Sequence, residues 1–485
     1  AQPTAMSAIE GLSATLGAPV RGLSSTSEAE VAQPDEEVPR SGASDALGDG
    51  VGPESDTESG SELDEEEPLI KYQRIKGDIS GMVGADEITA SALHDRTLFL
   101  GTKNGVLHVM SEEGKRISCF KQHQNTITSV SVDATGTVVA TAGDDGVVVV
   151  RSLDSTGSAN TYAFHSPVRA VCLDPAYSSK RDKLFASGGL AGRFILTKRG
   201  WLTSQDVTLH SGEGTVHAIS WAGSLVAWAN NEGVKVFDVD RGARITWVEK
   251  PLDCPGPDVC ACHLVWEDEK TLLIGWADTV KIISVRSRDP AEARASGLPA
   301  RYAEIVHWFQ TSYLICGLAP YNNDLLAILG YVPADPDEAQ AELQRALQLQ
   351  REGGAGAAAP QLVVGEKPGL RLALRSNGIE FSVDHLPVTK YESLHAPQYQ
   401  LRYRGAAGAA ANGSAGGGSD DPSAAPTTEV ERADTEPSRL GAFTLVSPFE
   451  VVHGEPHSAV DHVQWHLVGE NFEEALRLPG LHPPE

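Results

Sequence analysis

Cys254, Cys260, Cys262 and His263 are the residues whose types could act in concert, because thiolates and an imidazole are the ligands of a tetrahedral zinc site. Their spacing argues against it. The run CxCH lacks the CxxC interval that lets two thiolates reach one ion. Alternation in CACHLVW puts Cys260, Cys262, Leu264 and Trp266 on one strand face, where thiols act as small buried hydrophobes. His462 and His466 stand four apart on a helical pattern, but no third ligand and no HExxH glutamate accompany them, so they read as surface histidines. There is no GxSxG nucleophile elbow, no GxxxxGK phosphate loop and no GxGxxG after a strand. No catalytic residue, metal ligand or cofactor is expected.

The elements that would carry such groups repeat. LFLGTKNGVLHV, VVATAGDDGVVVV, LFASGGLAGRFIL and LVAWANNEGVKVF each join an apolar strand, a small-residue turn ending in Gly and a second strand. The turn glycines Gly105, Gly146, Gly192 and Gly233 lie 41, 46 and 41 residues apart, and a looser copy, LLIGWADTVKIISV, turns near Asp278. A period in the forties with strand, turn and strand in each unit is the signature of a propeller with one four-stranded blade per repeat. Unrelated hairpins of a β-sandwich would keep no such period. Each glycine is expected at φ > 0, as a tight turn requires. Five repeats before Asp289, a strand group from Ile305 to Val332 and two groups after Gln361 predict an all-β, seven-bladed WD-type propeller over residues 68–455.

Composition bounds the function. The chain has 485 residues and a formal charge of −27, which argues against nucleic acid, whose phosphates require Lys and Arg clusters. No apolar run reaches the length of a membrane span, the N-terminus has no signal-peptide pattern, and six cysteines mostly inside strands suit a reducing compartment. Residues 1–70 hold 16 acidic and 2 basic side chains, so 14 of the excess negative charges lie there. Residues 1–67 are expected to be a disordered acidic tail.

At the end of that tail, SELDEEEPLIKY places Glu65 ahead of Leu69 and Ile70 with three residues between. This is the acidic dileucine pattern, in which two aliphatic side chains fill apolar pockets of a cargo adaptor and the carboxylate meets a basic patch. Ser55, Ser59 and Ser61 each have an acidic residue three positions on, and phosphorylation there would add charge to the same contact. The competing reading is that Leu69 and Ile70 begin the first strand and pack on the closing blade.

Two insertions interrupt the propeller: residues 333–360, with a short helical pattern at Leu343, Ala346 and Leu347, and the Gly/Ala-rich residues 404–438. The apolar stripe of the first is too thin for a helix that senses lipid packing. After a last strand pair in FTLVSPFEVVHGEP, residues 456–485 change period. Trp465, Val468, Phe472 and Leu476 recur at helical spacing as the packing stripe of a first α-solenoid helix. A stripe with nothing after it to cover it suggests a chain cut from something longer.

HSGEGTVHAISWAGSLVAWANNEGVKVFDV, TLLIGWADTVKIISV, LPARYAEIVHWFQTSYLICGLAP and SPFEVV with DHVQWHLVGENFEEAL, in this order, resemble the N-terminal propellers of the vacuolar protein sorting-associated protein 41 family, WD-repeat subunits of the HOPS tethering complex. The resemblance spans about residues 65–478, begins at EEEPLIKYQRI and departs from the family mainly in the two insertions. It implies a non-catalytic tether in fusion of vesicles and late endosomes with the vacuole or lysosome. It implies a cytoplasmic protein peripheral on those membranes, whose propeller meets a Rab or Arf-like GTPase and whose missing downstream part joins the other HOPS subunits. It also supports capture of Glu65, Leu69 and Ile70 by the third adaptor-protein complex. A substrate receptor of a ubiquitin ligase, another interaction scaffold, or a hydrolase with an undetected site are the alternatives from other classes.

Overall fold

The computed structural model describes residues 69–485 except 155–156, 201–202, 336–364, 387, 404–441, 469–471 and 473–485. The described strands form seven antiparallel four-stranded sheets, each made in chain order except the last. Blades 1 to 6 span residues 88–121, 127–163, 168–211, 218–249, 262–310 and 314–385. Blade 7 takes three strands from the end of the chain, Gln400–Tyr403, Phe443–Val446 and Val451–Pro456, and its outermost from the beginning, Ile70–Ile75. Ile70 pairs with Pro456 and Ile75 with Val451, which closes the ring.

Burial explains why each blade reads as it does. The two middle strands are covered on both faces by neighbouring blades, so Leu225–Ala229 and Leu325–Tyr331 are almost wholly buried apolar runs. Outermost strands such as Arg116–Lys121 alternate, because one side reaches solvent. The core therefore lies between blades rather than inside one sheet. Phe194 of blade 3 stacks on Trp228 of blade 4, ring centroids 4.1 Å apart. Gly188 and Gly275 sit on second strands where a Cβ would come within 3 Å of Val216 and Ile315, so glycine there admits the next blade.

The hairpin glycines divide into two kinds. Gly105, Gly146 and Gly192 have φ of 79°, 75° and 64°, as the turns require. Gly233 departs from the expectation: it is the first residue of strand Gly233–Asp238 and does not adopt positive φ. Its turn is organised by Asn230, whose Oδ1 accepts from the N–H groups of Glu232 and Gly233, and a Cβ on Gly233 would lie 2.3 Å from the Val248 carbonyl oxygen. In blade 5 the left-handed turn position is taken by Ala277, at φ 53°, rather than by a glycine.

Within each blade the first and third turns face one side of the ring, and the second turn and the blade-to-blade connections face the other. The chain leaves blade 6 between its second and third strands and blade 7 between its first and second. The two insertions therefore depart from opposite faces. The helical pattern of the first, at Leu343, Ala346 and Leu347, lies outside the described residues.

Helix Asp78–Ala85 links blade 7 to blade 1 and buries Ile79 and Met82. Helix Ala459–Val468 follows the last strand and is capped reciprocally: Ser458 Oγ accepts from the Asp461 N–H, while Asp461 Oδ2 accepts from the Ser458 N–H. Lys71 Nζ lies 3.0 Å from Asp461 Oδ1, tying this helix to the ring-closing strand. Among the described residues no helix is long and apolar enough to cross a membrane.

Candidate functional site

His123, Thr141 and Asp145 are arranged like an acid–imidazole–hydroxyl triad. His123 Nε2 lies 2.8 Å from Thr141 Oγ1 and Nδ1 lies 3.0 Å from Asp145 Oδ1. The environment decides what it can do. His123 is 1% exposed and Thr141 not at all, and the threonine hydroxyl also donates to Gln122 Oε1 at 2.6 Å. The Asp145 carboxylate accepts further from the N–H groups of Gln124 and Val147. A hydroxyl without access to substrate cannot be a nucleophile, so the group is a buried polar strut that fastens the connection between blades 1 and 2 to the second blade.

Blade 4 fills the equivalent place with different chemistry. Glu213, in the connection from blade 3, accepts from Asn230 Nδ2 at 2.9 Å and from the buried Lys235. Burial alone would raise the Glu213 carboxyl, but the hydrogen bonds from Lys235 and Asn230 outweigh it and hold the group below the usual carboxylate range. Neither strut was visible in the sequence, because its members come from different strands and connections some twenty residues apart. The only local signal was a polar residue in the connection ahead of each hairpin turn.

The sequence-derived candidates fall in several places. Cys260 and Cys262 are buried and Cys254 partly so. Burial pushes the Cys260 thiol up to about 11 and Cys262 well above its ordinary value, the opposite of what a thiolate ligand needs. His263 Nε2 is taken by the Ile315 carbonyl oxygen at 3.2 Å. Among the described residues no three His, Cys, Asp or Glu side chains are placed to hold a metal ion. On the last helix the His462 ring lies 5.5 Å from that of His457, and the His466 ring 5.0 Å from that of Trp465.

The dileucine pair is split. Leu69 is 40% exposed, but Ile70 is 3% exposed and packs in the core shared by blades 6 and 7. With blade 7 closed, Ile70 takes the place that the strand reading gives it, and the two side chains could enter adaptor pockets together only if strand Ile70–Ile75 left the blade. Glu65, Ser55, Ser59 and Ser61 lie outside the described residues. Of the terminal stripe, Trp465 is half-buried, Val468 and Phe472 are exposed, and Leu476 lies outside the described residues.

What remains presented to solvent is turns, connections and rim. The outermost strands of blades 5 and 6 expose Ile305, Trp308, Phe381 and Val383. A surface cavity of about 450 Å³ opens at the seam of blades 7 and 1, but Arg96 and His453 there both face Glu112. A second, of about 370 Å³, lies by blades 4 and 5, where Arg301 pairs with Asp238 and Arg286 with Glu304.

A ring of seven four-stranded blades, braced by internal polar groups and with loops and an apolar rim at its surface, defines a β-propeller. Residues 70–411 match the family model described as Vps42 beta-propeller. The chain belongs to this Vps41 β-propeller family. Vacuolar protein sorting-associated protein 41 homologs of Arabidopsis thaliana and Homo sapiens are 34% and 31% identical over 85% and 87% of the chain. The chain spans 39% and 43% of their lengths. The Saccharomyces cerevisiae protein is 26% identical over 69% of the chain, which covers 38% of that protein. Among solved structures, the Myceliophteria thermophila Cps50 (Swd1) β-propeller domain is similar in fold, with a TM-score of 0.51 and 13% identity, over 79% of this chain and 99% of that one.

Proposed function

We propose that this chain is the propeller platform of a HOPS-type tethering subunit in vacuolar protein sorting. It acts without catalysis, and its loops engage a late-endosomal GTPase of the Rab or Arf-like kind at the surface of late endosomes and the vacuole or lysosome. The observation that carries the reading is the family match over residues 70–411, together with relatives named for vacuolar protein sorting. The buried, saturated state of the His123 group supports a non-catalytic role, since the most triad-like geometry among the described residues is spent on bracing. We assign assembly with the other HOPS subunits to regions outside this propeller, since the chain spans 39% of the length of the Arabidopsis thaliana relative. Capture by the third adaptor-protein complex through Glu65, Leu69 and Ile70 requires strand Ile70–Ile75 to leave blade 7, since Ile70 is otherwise enclosed.

The test in cells is recruitment. A fluorescent fusion of the chain should concentrate on late-endosomal membranes when a GTP-locked Rab of that compartment is expressed, and disperse with the GDP-locked form. Equal distribution in both would contradict the reading.

A further inference from the structure

The seven innermost strands that surround the central channel are ITASALH, ITSVSV, VRAVCL, AISWA, CHLVW, LICGLAP and QLRY. Not one carries an Asp or Glu, although the chain as a whole has a formal charge of −27. Two of them carry an arginine. Arg169 is paired with Asp144 at 3.0 Å. Arg402, on the innermost strand of blade 7, makes no ion pair among the described residues.

Arg402 is held in place by neutral acceptors. Its Nε donates to the Ser91 carbonyl oxygen at 3.0 Å, Nη1 to the Leu401 carbonyl oxygen at 3.2 Å and Nη2 to Gln400 Oε1 at 2.8 Å. The last contact is telling, because Gln400 stands where a glutamate would neutralise the guanidinium with almost no change of shape. Gln400 is itself fixed, accepting from Ser91 Oγ at 2.8 Å and donating from Nε2 to the Thr89 carbonyl oxygen at 3.1 Å. Arg402 is partly accessible, and two of the five N–H groups of its guanidinium lie outside these bonds.

The surroundings favour an anion. His263, on the facing strand of blade 5, is held neutral by burial and by the charge of Arg402, so it adds no competing cation at neutral pH. Tyr403 donates across to the Trp266 carbonyl oxygen at 2.5 Å, which bridges blades 7 and 5 beside Arg402 at the end of both strands. Burial strips the Arg402 guanidinium of hydration and no ionic partner among the described residues makes up for it, a state that an incoming oxyanion relieves. The paired arginines of the two surface cavities lack this property.

We propose that the central channel is an oxyanion site in which the fork of Arg402 takes a phosphate group, supplied as free phosphate or as a phosphate monoester. The experiment is a titration of the full chain at constant ionic strength, with inorganic phosphate in one arm and O-phosphoserine in the other. It is followed calorimetrically and by the thermal midpoint against chloride. The wild-type chain should bind saturably in at least one arm, and the tighter arm identifies the source. Gln400→Glu, which supplies the missing carboxylate without removing Arg402 but gives up the Nε2 bond to the Thr89 carbonyl oxygen, should weaken binding at least tenfold while the chain still unfolds cooperatively in chloride. Arg402→Met should abolish binding. Absence of saturable binding by the wild type in both arms, or wild-type affinity in Gln400→Glu, would overturn the proposal. The Gln400→Glu result decides it even if Arg402→Met fails to fold.

Discussion

Ile70 lies directly opposite Pro456 in antiparallel register, so the first described strand of the chain is the last strand of its last blade. Residues nearly four hundred apart in sequence thus share one sheet, and the ring is closed by hydrogen bonds rather than by a covalent link. Loss of that strand would leave Val451–Pro456 as an open edge and expose one side of the core that Ile70 helps to fill.

The closing strand should therefore dominate stability. Ile70→Ala should cost about 2–5 kcal/mol, as for a buried aliphatic side chain, whereas Leu69→Ala should stay within about 0.5 kcal/mol. Urea unfolding followed by tryptophan fluorescence measures both. Equal effects of the two substitutions would mean that strand Ile70–Ile75 is not seated in blade 7.

Two glycines that look alike in sequence should respond differently. Gly146 is held at φ 75°, where Asn is tolerated better than Ala, so Gly146→Asn should be less destabilising than Gly146→Ala. Gly233 is constrained by the approach of the Val248 carbonyl oxygen, so any Cβ there is costly and Asn should give no relief. Thermal midpoints of the four variants separate a conformational requirement from a steric one.

The His123 group should behave as a brace. His123→Ala leaves the Asp145 carboxylate and the Thr141 hydroxyl with fewer partners in a buried place, at a cost of about 1–3 kcal/mol. Hydrolysis of an activated ester such as p-nitrophenyl acetate should be the same for wild type and variant. A rate that falls specifically with His123 would reassign the group as a site.

Acid should weaken the packing around His217 and His263. His217 and His263 are held down to about 4, chiefly by burial, against an ordinary value of 6.5. As pH falls from 6.5 towards 4 the unfolded chain takes up these protons first. The stability the neutral rings contribute is therefore fully present above 6.5 and is lost across that window. His217→Asn should flatten the fall of the thermal midpoint between pH 6.5 and 4. An unchanged slope would show that His217 is not the group being titrated.

How much of this was legible in the sequence depends on whether the signal was local. The hairpins around Gly105, Gly146 and Gly192 are built from adjacent residues, so their period reveals the propeller, and the strand groups after Asp289 bring the blades to about seven. Gly233 misled because the letters of a turn do not record whether Gly supplies a positive φ or merely room, and here Asn230 does the turning. Ile70 was ambiguous for a different reason. One short apolar pair fits both an adaptor motif and a strand end, and only pairing with Pro456 distinguishes them. The struts at His123 and Glu213, and the unneutralised Arg402, depend on contacts between blades that no short window contains.

The central claim, a non-catalytic platform that recognises a small GTPase, is tested most directly by pull-down. The purified chain would be incubated with late-endosomal Rab and Arf-like proteins loaded with a non-hydrolysable GTP analogue or with GDP, beside cullin adaptors. The account predicts retention of at least one GTPase in the GTP-analogue state, at least tenfold above its GDP state, and no retention of cullin adaptors. Retention of a cullin adaptor with no nucleotide-dependent partner would contradict it and favour a ubiquitin-ligase receptor.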